Sequence, residues 1–153
     1  MKIARTTSDG SWTLTQTISP VPGTPPTAKI VMALTNNKSV SREAFLLRYA
    51  DVDAETVVLN NFDATTNTAL AWNSGTPQGH GTALGLVLQN LGSARSFGPF
   101  VQNTHNAPAP CDPFGNAVAG QQLSVDGSLV MLYDLVGIRK SSTATVTVGY
   151  KSW

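Results

Sequence analysis

The chain of 153 residues is long enough for one domain with a buried core, and only 12% of its residues are charged. The formal net charge of +1, without a basic run, excludes the broad basic surface that nucleic-acid binders carry. No apolar stretch approaches the roughly 20 residues of a membrane-spanning helix, and the single cysteine cannot form an internal disulfide.

The N-terminal third predicts β-strands separated by proline and asparagine turns. Residues 1–10 are polar, and we expect them to be a flexible segment. From Trp12 to Ile18 apolar residues alternate with threonines, which is the period of a half-buried strand. The loop at 20–26 contains four prolines, and the strand predicted at 28–35 follows it.

Residues 41–50 allow two interpretations. A short helix could begin near Ser39, but strand alternation fits better because Phe45, Leu47 and Tyr49 fall on one face. In that strand, Leu46 and Arg48 would point outward. We therefore predict a strand that ends in an acidic loop.

The remaining chain predicts further short strands. Segments 65–72, 82–91 and 97–103 are rich in apolar or β-branched residues, and Pro99 suggests that the third lies at a sheet edge. Two clearer strands, 128–135 and 143–150, close the chain. The last of them should place these residues on one face: Ala144, Val146, Val148 and Tyr150.

About seven to ten short strands separated by Gly, Pro and Asn turns are typical of an all-β fold. The predicted architecture is a single antiparallel β-sandwich or jelly roll that spans residues 1–153. No internal repeat or linker divides the chain.

Two segments carry a resemblance to a known group of proteins. Residues 30–38 (IVMALTNNK) and 141–150 (SSTATVTVGY) resemble strands of bacterial secreted immunoglobulin-like and related β-sandwich modules of uncharacterised exported proteins. Residues 48–53 and 60–63 also resemble segments of such proteins. The resemblance implies a sandwich fold and an extracytoplasmic setting, and it brings no catalytic residues. The Cys-Trp-Cys core of antibody-type domains is absent from this sequence.

The stretch 49–63 concentrates acidic side chains, and no Lys or Arg occurs from residue 49 to residue 94. Hard cations such as Ca²⁺ bind several carboxylate and amide oxygens that converge from a flexible loop. The spacing differs from an EF-hand, since the twelfth position is Phe62, and a solvated acidic turn is the alternative. The predicted calcium ligands are Asp51, Asp53, Glu55, Asn60 and Asp63.

Aromatic residues beside amides suggest a second kind of site. An exposed ring can stack on a sugar face, and Trp72 is the first candidate for that platform, with Asn73 and Tyr49 as neighbours in the site. The alternative is that these rings fill the core of the sandwich. This interpretation predicts a carbohydrate-binding module or lectin that uses Trp72 and the loop 51–63.

Enzymatic interpretations rest on few residues. Cys111, His105 and Asp112 could form a nucleophilic set, and His80 with His105 could bind a transition metal, but neither has the spacing of a known zinc motif. Paired carboxylates for glycoside hydrolysis are also conceivable. A small hydrolase is therefore the third hypothesis.

The leading interpretation is a non-enzymatic, extracytoplasmic structural or interaction module, which Ca²⁺ stabilises. The low charge and abundance of Thr, Ser and Asn favour an exported protein. Residues 1–5 do not form a signal peptide, so either the protein is cytosolic or a signal has been removed, and composition favours the second. Threonine-rich, weakly charged edges also predict a protein partner or self-association.

Overall fold

The computed structural model describes residues 1–23, 27–54, 58–65, 67–73, 85–92, 96–109 and 112–152. Within these ranges the structure contains β-strands and no α-helix. None of the described residues forms a helix that could cross a membrane. The strands are β1 (Lys2–Thr6), β2 (Trp12–Val21), β3 (Thr27–Asn36), β4 (Arg42–Asp51), β5 (Asn60–Ala64), β6 (Thr68–Trp72), β7 (Gly85–Asn90), β8 (Ser96–Gln102), β9 (Ala117–Val118), β10 (Gln122–Val125), β11 (Ser128–Ile138) and β12 (Thr143–Lys151).

The strands form two antiparallel sheets that pack face to face. One sheet has eight strands in the order β1-β2-β3-β12-β7-β6-β5-β10, and the other has four in the order β4-β11-β8-β9. This arrangement confirms the predicted all-β antiparallel sandwich. The strand count exceeds the prediction because β1, β5, β9 and β10 lie in segments where no strand was expected.

Residues 2–6 form β1, in place of the predicted flexible segment, and all five pair with β2. The turn between the two strands is closed by Asp9. Its carboxylate accepts hydrogen bonds from the Thr7 hydroxyl (2.6 Å) and the Ser11 amide (3.0 Å) and hydroxyl (2.5 Å). A local turn of this kind fixes a hairpin that the polar composition alone did not reveal.

The core lies between the sheets and follows the alternation predicted for the long strands. Ile30, Met32 and Leu34 of β3 are buried, as are Val146 and Val148 of β12. Alternate residues of a strand face opposite sides, and threonine holds five of the ten outward positions of these two strands. The opposite wall of the core comes from β11, through Leu129, Met131, Tyr133 and Leu135.

Strand β4 confirms the strand interpretation but reverses the predicted faces. Leu46 lies in the core, whereas Phe45 faces outward and is 68% exposed. Arg48 also points inward: its Nε donates a 2.5 Å hydrogen bond to the Tyr150 hydroxyl, and its guanidinium carbon lies 5.0 Å from the centre of that ring. Both sets of alternate residues in β4 are largely apolar, so only the pairing with β11 determines which set is buried.

Strand β8 meets the expectation from Pro99 in part. It lies between β11 and the short strand β9, but β9 pairs only with Val101 and Gln102. Among the described strands, the part of β8 that holds Pro99 therefore has one neighbour, β11. Its pairing with β11 shifts register between Val130 and Leu132, opposite Phe100 and Phe97. The irregularity takes Pro99, which has no N–H to donate, out of the regular ladder.

Candidate functional site

Strand β11 is apolar on both of its faces. Besides the inward residues, the outward residues Val130 and Leu132 are also buried. A strand of this composition indicates that both faces of its sheet are covered. On the outward face, Phe97 and Phe100 of β8 lie opposite these two residues in the ladder.

The proline-rich segment between β8 and β9 covers part of this outward face. The Phe114 ring packs edge-on against the rings of Phe97 and Phe100, with centroids 6.2 and 5.1 Å away. This contact folds the segment back over the outward face of the four-stranded sheet. It leaves the end of that face beside β4 uncovered.

An apolar groove of about 610 Å³ opens between this segment and β4. Phe45 is the most exposed of the apolar side chains that line it. Val136 of the neighbouring strand β11 is 65% exposed. Clustered exposed apolar residues of this kind mark interaction sites more often than scattered single ones do. The groove is lined by Phe45, Leu47, Pro108, Asp112, Pro113, Phe114 and Leu132.

The same outward face ends in a group of carboxylates. Asp51, Asp53 and Asp126 each offer an oxygen within 4.8 Å of the others. Asp51 is brought there by the β-ladder, because Ser128 at the start of β11 pairs with it. Gly127, next to Asp126, packs closely against β8, since a Cβ at this position would lie 2.8 Å from the Gln102 carbonyl oxygen. Two of the predicted calcium ligands therefore lie together with one that was not predicted.

His105 and Tyr49 border this acidic cluster (Asp51, Asp53 and Asp126). The His105 Nδ1 lies 2.8 Å from an Asp126 carboxylate oxygen. The Tyr49 hydroxyl donates a hydrogen bond to the backbone carbonyl of His105. Burial raises the pKa of the Tyr49 phenol, and the negative charge of Asp51 raises it further, while a hydrogen bond with Ser128 opposes the shift. Tyr49 therefore stays a neutral donor at neutral pH.

Two other predicted calcium ligands, Asn60 and Asp63, have hydrogen-bond partners of their own. Asn60 is buried at the start of β5, where its amide accepts a hydrogen bond from Ala54 N (3.1 Å) and donates one to Val52 O (3.2 Å). Its side chain thus holds the loop after β4. Asp63 lies within β5, and its carboxylate accepts a hydrogen bond from Ala64 N (2.9 Å). Glu55 lies outside the described residues.

The predicted sugar-stacking residues do not form one site. Trp72 is only 2% exposed, so its ring presents no free face to solvent. It pairs with Asn61 in the eight-stranded sheet, whereas Tyr49 belongs to the four-stranded sheet. The carbonyl of Asn73 accepts a 3.4 Å hydrogen bond from the Asn61 amide. The structure corrects the placement of Trp72 from an exposed platform to a buried ring.

The structure does not pair His105 with Asp112, the two described residues of the proposed nucleophilic set. The described contacts of His105 are with Asp126, not with Asp112. The Asp112 carboxylate lies against Gly115 instead, where a Cβ would come within 2.4 Å of its oxygen. Cys111 and His80 lie outside the described residues.

Residues that sequence reasoning missed define most of the outward face. Asp126 is far from Asp51 in sequence, and the sequence analysis assigned no role to Phe114. One signal was available: the uninterrupted apolar run of β11 indicates a strand covered on both faces.

Compared with known proteins, the chain matches no family model and no curated protein.

Proposed function

We propose that this β-sandwich is a non-enzymatic structural or interaction module, acting outside the cytoplasm, that binds a protein partner through the outward face of its four-stranded sheet. The observation that carries the proposal is the combination of burial and exposure on this face. Val130 and Leu132 are buried there, while Phe45, which lines the groove together with Leu132, and Val136, further along β11, remain open to solvent. A sheet face that its own chain covers only in part, and that leaves apolar side chains exposed, has the composition of a protein-binding surface.

The shape of the site also supports a partner rather than a small substrate. The groove is open toward Phe45, and the described part of its lining contains one ionisable side chain, Asp112. An aromatic anchor at the centre of an apolar patch, with a charged rim, is the usual composition of a protein-binding surface. The buried Trp72 gives the carbohydrate alternative less support.

The proposal is tested by comparing three immobilised proteins: the wild type, Phe45→Ser and Leu123→Ser. Leu123 is a matched control because it is 62% exposed on β10 of the other sheet. Proteins retained from extracts and medium of the source cells are identified, purified and titrated against all three. We expect Phe45→Ser to weaken binding by at least about tenfold, which is 1.4 kcal/mol, and Leu123→Ser to leave it unchanged.

Two results would contradict the proposal. One is a partner whose affinity is the same for Phe45→Ser and for the wild type. The other is an equal loss with both variants, which would indicate nonspecific apolar adsorption. Circular dichroism and thermal melts of each variant establish beforehand that the fold is intact.

A further inference from the structure

The outward face of the four-stranded sheet is acidic as well as apolar. The outward positions of β4 and β11 carry Glu43, Asp51 and Asp134 and no Lys or Arg. Asp53 and Asp126 extend the charge at one end, and Asp112 lines the groove. This acidic face thus holds six of the nine acidic residues of the chain: Glu43, Asp51, Asp53, Asp112, Asp126 and Asp134.

The opposite side of the sandwich has the complementary charge. Strands β1, β2, β3 and β12 contain no Asp or Glu. Their outward positions include Lys2, Lys29 and Lys151, all exposed. We call this surface the threonine face, because most of its other outward positions are threonines.

The threonines of this face stand in rows across the strands. The antiparallel registers place one residue from each of the four strands side by side. Within that row the hydroxyls of Thr35 and Thr143 are 2.7 Å apart, and those of Thr6 and Thr13 are 3.0 Å apart. These side chains are short, so they leave room for larger apolar side chains that project from a partner. The row consists of Thr6, Thr13, Thr35 and Thr143.

Resting on the proposed function, we infer that the partner is a second copy of this chain, whose threonine face docks on the acidic face. The lysines of one copy then meet the carboxylates of the next. The exposed Phe45 and Val136 are covered by the small side chains between the lysines, such as Val31 and Ala33 of β3. Charge complementarity of this kind selects the partner and its orientation.

Docking of two different faces is heterologous, and it leaves a free acidic face and a free threonine face at the two ends. Such association continues from copy to copy unless a rotation closes a ring. An isologous dimer, in which acidic face meets acidic face, would place six carboxylates of each copy against six of the other. Like charges across an interface disfavour that arrangement.

The test uses analytical ultracentrifugation of the full chain at low salt over a range of concentrations. Variant A is Phe45→Ser, which disables the acidic face. Variant B is Lys2→Glu with Lys29→Glu, two exposed changes that disable the threonine face. We expect the wild type to associate beyond a dimer and each variant alone to associate at least about tenfold more weakly.

The mixture of A and B distinguishes heterologous from isologous contact. A retains the threonine face and B retains the acidic face, so an equimolar mixture should form a complex of two chains and nothing larger. Self-association of B equal to that of the wild type, or a mixture that forms no complex, would overturn the inference. A wild type that stays monomeric would overturn it too. If a partner is then still retained through Phe45, the acidic face belongs to a different basic protein, and the proposed function survives without this inference.

Discussion

Phe45 and Leu46 are neighbours in β4, yet Leu46 is 9% exposed within the core and Phe45 is 68% exposed on the outward face. A strand places successive side chains on opposite sides of its sheet, so the two residues experience different surroundings although they share a backbone. The larger apolar side chain is the exposed one. Folding of a single chain does not require this arrangement, and the proposed interface would bury the exposed ring.

This contrast predicts that substitutions at the two positions change the free energy of unfolding by different amounts. We expect Leu46→Ala to lower the free energy of unfolding by about 2–4 kcal/mol, because it removes buried methyl groups and leaves a cavity. Phe45→Ser should change it by less than about 1 kcal/mol, because the ring is mostly in water. Urea denaturation in dilute solution, where chains are separate, measures both values. A loss with Phe45→Ser as large as that with Leu46→Ala would show that the ring supports the fold itself.

Calcium binding remains a prediction from the sequence, and the acidic cluster makes its test sharper. In EDTA we expect Asp53→Asn to raise Tm by roughly 1–3 °C, because one of three adjacent negative charges is removed. Added calcium chloride should raise Tm of the wild type more than that of this variant.

Asp63→Asn is the control for the calcium experiment, because Asp63 lies in β5 and outside the acidic cluster. It should respond to calcium as the wild type does. An absence of any calcium effect on the wild type would remove the calcium prediction, and the acidic cluster would then serve only as part of the acidic face.

Alkaline stability depends on Tyr133. Burial raises the pKa of this phenol above its ordinary value of 10.0, because an ionised ring would have to remain in the core. The contribution to stability is complete below pH 10 and is lost as the pH rises above it, since the unfolded chain releases the proton first. Tyr133→Phe should therefore move the alkaline unfolding midpoint to higher pH.

At neutral pH the same substitution should cost less than about 1 kcal/mol. The hydroxyl donates to a weak acceptor, the Met131 sulfur at 2.9 Å, and lies 3.5 Å from the Thr147 carbonyl. Fluorescence-monitored unfolding from pH 8 to pH 12 measures both effects. An alkaline midpoint identical to that of the wild type would contradict the assignment to Tyr133.

The β1–β2 hairpin depends on a depressed carboxyl pKa. Hydrogen bonds from the Ser11 hydroxyl, from Thr7 and from the Ser11 amide hold the pKa of Asp9 well below its usual value of 3.8. The turn is stabilised above that value and weakens as the pH falls below it. We expect Asp9→Ala to speed hydrogen exchange of the β1 amides at pH 7, while β11 amides are unaffected. Equal exchange of β1 in both proteins would show that the turn does not depend on this carboxylate.

The sequence predicted best where one face of a strand is apolar and the other is threonine. In β2, β3 and β12 this alternation leaves only one way to orient the strand, and the buried Ile30, Met32 and Val146 are those expected. In β4 the alternation is between two apolar sets, so local pattern could not decide between Phe45 and Leu46. The pairing of β4 with β11 decided it, and that pairing joins residues about 80 positions apart.

The candidate site was predictable only in part for the same reason. Asp51 and Asp53 come from one stretch of sequence, but Asp126 joins them through long-range strand pairing. Asn60 has the right oxygen for a metal, yet its amide satisfies buried backbone groups of the loop. Whether such a side chain bonds the backbone or a ligand depends on its burial, and sequence composition does not give burial.

The measurement that tests the account most directly is photo-cross-linking from position 45. The chain carries p-benzoylphenylalanine in place of Phe45, or in place of Leu123 as the control, and irradiated products are mapped by mass spectrometry. We expect covalent dimers from position 45 only, joined to peptides of the threonine face such as those around Lys29 and Thr35. No adduct from position 45 beyond the yield at position 123 would contradict the claim that the outward face of the four-stranded sheet is an interaction surface.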